Sequence, residues 1–434
     1  MISDDLKNWI SRYVADPFPL RLQGHLEHYA WGQTGPAAFI PQLLGTSPDT
    51  RPYAELWIGA HPASSSKVLL ESSRTCSLHA LIQTIPQTIL GDKNVSPWND
   101  ELPFLFKIIA AATPLSIQTH PNSSQAEAAF SSKNHLEIYK DPHGKWEQII
   151  ALDDFYILSG FRPLKQIIEF LSEIEGIKII FPDGFSGVAL NELSGESQDE
   201  SQDESVPIKN IFQTILSADS SAIAKIISIW IERLKLQNAA EVFVKSQQEY
   251  WILNAIAKFC SIGAQDTQDF VDRGLLLMGL LHLKILRSTE SLFLEPGDVH
   301  AYLEGIGIEV MTNSDNTLRC ALTRKTVHVQ EMLKIASCAP KNPETLFPDR
   351  TGFYPTHCPW FKVAGLPIKK SETKIFNVSG AEILFLLKGK IVLQSAKKSE
   401  TFVAGDGILI PAALKQYTVC AESEETVLYR CVIP

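Results

Sequence analysis

The hydrophobic period changes twice along this chain, and that change restricts its architecture more than any single motif does. Early in the chain the apolar residues alternate or run in short blocks, as in Leu102 to Ala112, which is how strands read. From Pro163 they recur at helical spacing, first at Leu164, Ile167, Ile168, Leu171 and Ile174, then at Ile223, Ile226, Ile227, Trp230, Ile231 and Leu234. Such positions share one face at 3.6 residues per turn. Pro163 suits a first helical turn, Gly176 a helix end, and Asp219 or Ser220 a cap. Residues 239–260 also read as helix, and strand character returns at Leu281 to Leu286 and Ser291 to Leu294. A chain that leaves a sheet, builds helices and returns to strands carries an inserted domain.

The length of 434 residues exceeds one ordinary core. The sequence therefore predicts a mainly β protein with a helical insertion. A discontinuous β domain occupies residues 1–162 and 273–335, helices occupy 163–272, and a second β domain occupies 336–434. Residues 326–360 read as a Pro-rich connection. Beyond it, a strand ending in Gly389 and the Gly405-Asp406 turn into a strand ending at Pro411 give the pattern of a small antiparallel jelly roll. The residues after Pro411 are Ala412, Ala413, Leu414 and Lys415, so this roll is expected to carry no metal. The doubled Ser-Gln-Asp-Glu of 194–205 reads as a mobile acidic surface loop.

Chemistry concentrates in Leu115-Ser116-Ile117-Gln118-Thr119-His120-Pro121. In a strand, Ser116, Gln118 and His120 share one face, placing a hydroxyl, an amide and an imidazole together. Glu147 follows a turn over 139–147, and His300 opens a strand after the Pro296-Gly297-Asp298 turn. Gln118, His120, Glu147 and His300 form a credible ligand set for Zn²⁺, although Mn²⁺ or Fe²⁺ tolerates the same donors. His61, at the end of the Ala54–Pro62 stretch, reads as structural rather than as a ligand. The net charge of −10 argues against sequence-independent nucleic-acid binding. The start of the chain is not a secretory signal, and the apolar run Gly274 to Leu286 is too short to span a membrane. Seven scattered cysteines without a CxxC pair fit a reduced, cytoplasmic chain.

Several stretches, in order, resemble the type I mannose-6-phosphate isomerase (phosphomannose isomerase) family: Tyr29-Ala30-Trp31-Gly32, the Ala54–Pro62 run, Leu102–Lys107, Pro114–Asn122, Tyr139–Glu147, His300–Gly305 and Ser314–Thr323. The resemblance implies a cupin-like catalytic jelly roll, an inserted helical domain and a C-terminal cupin-like jelly roll. It places the family's metal ligands on Gln118, His120, Glu147 and His300, with one divalent ion, Zn²⁺ foremost. It implies isomerisation of mannose 6-phosphate and fructose 6-phosphate through an enediol. Arg319 stabilises the developing anion, Lys145 is an acid/base with a pKa depressed by the cation, and Asp315 orients Arg319 or relays a proton. Ser116 and Lys325 are phosphate candidates, since no Gly-rich loop is present. A monomer acting on a small sugar phosphate is expected, without nucleic acid or membrane. A non-catalytic, metal-containing sugar-phosphate-binding regulator is the alternative. Two departures stand out: Lys145-Trp146-Glu147 replaces Lys-Pro-Glu, and Gly144 precedes Lys145 where many members have His. The role of that His is therefore not carried over.

Overall fold

The structure, a computed structural model, describes residues 4–70, 74–91, 98, 100–133, 137–185, 203–261, 270–396 and 398–434. Its centre is the 13-residue strand His300–Thr312. The first part of this strand pairs with Ile117–Thr119 and Phe155–Phe161, and the rest pairs with Phe104–Ala111 and Glu147–Ala151, all antiparallel. One strand thus belongs to both sheets of a sandwich, and it changes sheet where its register shifts between Tyr302 and Glu304. Gly305 makes the corner at φ 144°, and a Cβ there would lie 2.5 Å from the Phe155 ring. A bend of this kind, with backbone so close to a ring, calls for glycine.

Period-two alternation explains why these strands read as continuously apolar. Phe155 and Ile157 point into the sandwich, beside Ile109, Ile149 and Tyr302. Tyr156 and Leu158 point outward into a core shared with the helices. On the other sheet, Ile108 and Ala110 face a core shared with Phe385, Leu409 and Tyr429 of the C-terminal strands. Sheets covered on both outer faces lose the polar face that a solvated sheet shows.

The helices are Leu164–Ser172, Ser205–Ser217, Ser220–Ala240, Gln248–Phe259 and the short Gly274–Met278. Every apolar position named for the Ser220–Ala240 helix is buried, and Asp219 caps it by accepting from Ser221 N. The expected helix over 239–260 is instead broken at 241–247. Asn238 Oδ1 takes the Phe243 N–H and Gln247 Oε1 takes the Val244 N–H, so local side-chain acceptors replace helix carbonyls. The acidic segment lies outside the described residues except for 203–205, and Ser205 opens a helix rather than ending a loop. The 326–360 connection contains the helix Val329–Ile335. Among the described residues no single helix is long and apolar enough to cross a membrane.

The C-terminal strands form a second antiparallel sandwich of a seven-stranded and a four-stranded sheet. The larger sheet is extended by strands from the other end of the chain, with Leu20 opposite Leu409 and Leu22 opposite Val68. The interior of this roll buries Glu382, which accepts from Tyr417 Oη at 2.8 Å and pairs with Arg430 at 2.5 Å.

Candidate metal centre

Ligand candidates come from both sheets of the first sandwich. Gln118 and His300 are cross-strand neighbours in one sheet, and Glu147 begins a strand of the other. His120 lies one residue beyond its strand. His120 Nε2 and His300 Nε2 lie 3.2 Å from Glu147 Oε1 and Oε2 respectively, and all three side chains are buried. Gln118 Nε2 is 3.4 Å from His300 Nε2. The Pro296-Gly297-Asp298 turn meets the end of the His120 strand, where Gly297 N donates to the His120 carbonyl at 2.8 Å, and this brings the imidazoles to the same end of the sandwich.

The remaining ring nitrogens decide what this cluster can hold. His120 Nδ1 is 2.9 Å from the Asn316 carbonyl, and His300 Nδ1 is 3.1 Å from the Asp298 carbonyl. A carbonyl accepts only, so each Nδ1 carries the proton and each Nε2 is a bare lone pair. Both lone pairs face an ionised carboxylate. Buried acceptors facing acceptors repel, and His120 Nε2 and Glu147 Oε2 are buried without a hydrogen-bond partner. A divalent cation satisfies all of them, and two imidazoles with a carboxylate suit Zn²⁺. Burial opposes ionisation of Glu147, but the Lys145 ammonium 3.0 Å away favours the charged form, and the carboxyl is held well below the ordinary range.

Burial pushes the His120 imidazole from its ordinary 6.5 down to about 4. The unfolded ring therefore binds a proton more readily than the folded one, and stability rises with pH across this window. Metal-free protein is expected to lose about 3 kcal/mol as pH falls from about 6.5 to about 4. Urea unfolding of chelated protein at about pH 7 and about pH 4 measures this loss, and equal free energies would contradict it.

Above the cluster opens a cavity of about 510 Å³ whose lining includes Ser116, Gln118, Lys145, Glu147, Arg319 and Lys325. Lys145 Nζ lies 3.0 Å from Glu147 Oε1 and 3.4 Å from Thr317 Oγ1. Arg319 lines the cavity, and no described residue hydrogen-bonds or ion-pairs with its guanidinium. Asp315 also lines it; its carboxyl is held below the ordinary range by a hydrogen bond from His61, whose Nε2 is 3.4 Å away. Every predicted site residue is thus brought either to the cluster or to this cavity. Sequence reasoning passed over the cavity floor. There Lys107 Nζ donates to Glu309 Oε2 at 2.9 Å and lies 3.6 Å from Glu55 Oε2, while Tyr302 Oη donates to Glu309 Oε1 at 2.8 Å. The available signal was Lys107 itself, a lone charge inside an apolar strand.

Both departures from the family pattern have structural explanations. A Cβ at Gly144 would lie 2.4 Å from Ser123 N, so no histidine fits there without displacing backbone. His143 is instead stacked on Trp98, with ring centroids 3.6 Å apart. Trp146 N donates to Thr312 Oγ1 at 2.9 Å, a bond proline lacks the N–H to make. The 314–316 segment is locked to the turn before Glu147 by Asn316, whose amide donates to the carbonyls of Asp141 and His143. The same residue's carbonyl orients His120.

Asp272, at the return from the helices, holds the other end of the Arg319 segment. Its carboxylate accepts from Gly274 N at 2.8 Å and from Leu322 N and Thr323 N at 2.9 Å. Leu322 sits at φ 53°, a left-handed conformation that needs such support. Asp272→Ala is expected to lower unfolding free energy by about 2–4 kcal/mol through stranded N–H groups. It is also expected to raise KM for an anionic substrate, because Arg319, Arg324 and Lys325 flank the segment. Urea unfolding and steady-state kinetics measure the two effects.

Fold and site together define a class: a two-jelly-roll protein with a buried His₂-carboxylate metal centre beneath a cationic cavity. The family description "Phosphomannose isomerase type I, catalytic domain" matches residues 20–164. The chain is 30% identical over 400 residues to the human mannose-6-phosphate isomerase, covering 87% of this chain and 89% of the relative. It is also 30% identical over 414 residues to the Escherichia coli K12 mannose-6-phosphate isomerase, covering 92% and 96%. A mutant phosphomannose isomerase from Salmonella typhimurium superposes with a TM-score of 0.78 at 26% identity, over 96% of this chain and 99% of that one. A zinc-bound mannose 6-phosphate isomerase gives 0.76 at 26% identity over the same shares. The chain belongs to the type I mannose-6-phosphate isomerase family.

Proposed function

We propose that this protein is a metal-dependent aldose–ketose isomerase that interconverts mannose 6-phosphate and fructose 6-phosphate. In a member of this family, the carrying observation is the two imidazole Nε2 lone pairs converging on Glu147 beneath the cationic cavity. Gln118, His120, Glu147 and His300 would hold the ion, Zn²⁺, with Gln118 presenting its amide oxygen after a flip of the terminal amide. When bound, the cation polarises the sugar oxygens at C1 and C2 and acidifies the C2 proton.

The protein's own residues supply the rest. Removal of the C2 proton from the opened aldose, with a proton gained at the C1 oxygen, gives the enediol; return of a proton to C1 with loss of the O2 proton gives the ketose. Arg319 brings an unneutralised guanidinium to the cavity, where it stabilises negative charge that develops in the reaction. Lys145 and Asp315 border the same space and serve as the proton-transfer groups, Lys145 anchored by Glu147 and Thr317 and Asp315 oriented by His61. Ser116 and Lys325 receive the phosphate. All seven cysteines are free thiols, and we place the enzyme in the reducing cytosol on that ground.

The test is a coupled assay of mannose 6-phosphate conversion on protein as purified, after chelation, and after separate return of Zn²⁺, Mn²⁺ and Fe²⁺. Turnover lost on chelation and restored by Zn²⁺ is the expected result. Folded protein that turns over with none of these ions would overturn the reading.

A further inference from the structure

The helical block packs outside the first sandwich, yet its Gln248–Phe259 helix ends at the cavity, where Lys258 and Phe259 join the lining. The Lys258 ammonium donates to Thr113 Oγ1 at 2.7 Å and to the Pro114 carbonyl at 3.0 Å. Both acceptors are neutral, and among the described residues no carboxylate pairs with this charge. An ammonium has three donors, so two held by the staple leave one for a ligand. Burial lowers the Lys258 pKa, the opposite of what a compensating carboxylate does. An arriving anion would therefore meet an uncompensated charge.

Its place along the chain makes the arrangement informative. Thr113 and Pro114 lead into Ser116, and Ser116 stands two residues before Gln118, about 7 Å along extended backbone. Gln118 in turn lies beside His300 of the metal cluster. One extended segment therefore runs from the lysine-bearing end of the cavity to the cation-binding end. A sugar phosphate whose carbonyl end lies at the cluster reaches back along this segment, carrying its dianionic end toward Ser116.

We propose that Lys258 is a phosphate-contacting residue, so that the helical block completes the anionic end of a substrate site otherwise built from strands and their loops. This rests on the isomerase reading and adds to it a residue outside both jelly rolls. It also gives Lys258 a second task, since the same ammonium staples the helix to the segment bearing Ser116.

The full-length protein with its cation restored provides the test. Lys258→Met is expected to raise KM for mannose 6-phosphate about ten- to hundredfold, the loss of one charge-assisted hydrogen bond, while kcat falls far less. The inhibition constant of inorganic phosphate rises in parallel, and Lys258→Arg recovers most of both. Thr113→Val removes the side-chain acceptor of the staple but keeps the ammonium, and it is expected to leave phosphate inhibition near wild type. The proposal is overturned if folded Lys258→Met keeps wild-type KM and phosphate inhibition, with Lys258→Gln used should the methionine variant not fold. It is equally overturned if Thr113→Val reproduces both losses. Calorimetric titration of wild type and Lys258→Met with inorganic phosphate reads the contact without turnover. An inactive wild type that binds phosphate through Lys258 would therefore sink only the isomerase reading.

Discussion

Glu147→Gln is expected to empty the metal centre and lower turnover on the order of a thousandfold, since Lewis-acid stabilisation is worth several kcal/mol and each ~1.4 kcal/mol is tenfold. The substitution keeps shape and removes charge, so packing is not the cause. Two imidazole lone pairs then face a neutral amide, which satisfies one of them by donating its N–H and no longer attracts a dication. Lys145, 3.0 Å from the lost charge and only 6% exposed, is left as an unpaired buried ammonium. Removing one partner of such a pair costs about 3–5 kcal/mol. Elemental analysis of metal content, the coupled assay and urea unfolding read the three consequences separately. Full metal occupancy with near-normal turnover would show that Glu147 is not a ligand.

Lys107→Met is expected to destabilise the protein by about 3–5 kcal/mol, an effect that chain position alone gives no reason to expect. Lys107 is 6% exposed and lies between Glu309, 3% exposed, and Glu55, 7% exposed. It also stands 4.9 Å from the centre of the Trp57 ring. Methionine fills the volume but leaves two buried carboxylates without a counter-charge. Burial already raises the Glu55 pKa, so proton uptake by these groups is the available escape. Urea unfolding of Lys107→Met, Glu309→Gln and the double variant forms a cycle. The double variant is expected to recover at least about 1 kcal/mol of the summed losses, because the groups are in contact. Strict additivity would mean that the ion pair contributes nothing.

The site was legible wherever its geometry is local. Period-two alternation put Ser116, Gln118 and His120 on one face, and Ser116 and Gln118 line the cavity with His120 in the cluster beside it. The Pro-Gly-Asp turn put His300 at the start of a strand, where the structure has it. The cavity floor was not legible, because Lys107 and Glu309 are 202 positions apart and no local period relates them. Gly144 read as an ordinary turn residue. Only the backbone of Asn122 and Ser123 lying against it shows that a side chain is excluded there. The helix break at 241–247 was missed because the side chains that hold it, Asn238 in the last turns of one helix and Gln247 at the N-cap of the next, carry no turn signal of their own in the sequence.

Sequence alone determined the kind of the main elements and the order of sheet, helices and sheet, since hydrophobic period is a property of neighbouring residues. It also supplied the donor atoms of the metal centre, whose chemistry belongs to the side chains themselves. Tertiary structure decided which strands share a sheet. Leu20–Gln23 joins Gly407–Ile410 from the far end of the chain, and His300–Thr312 crosses between two sheets at Gly305. It also decided which tautomer each imidazole holds, through the carbonyls of Asn316 and Asp298, and which buried charges balance. These are relations between distant segments that pack only once the whole core has closed, so no window of sequence contains them.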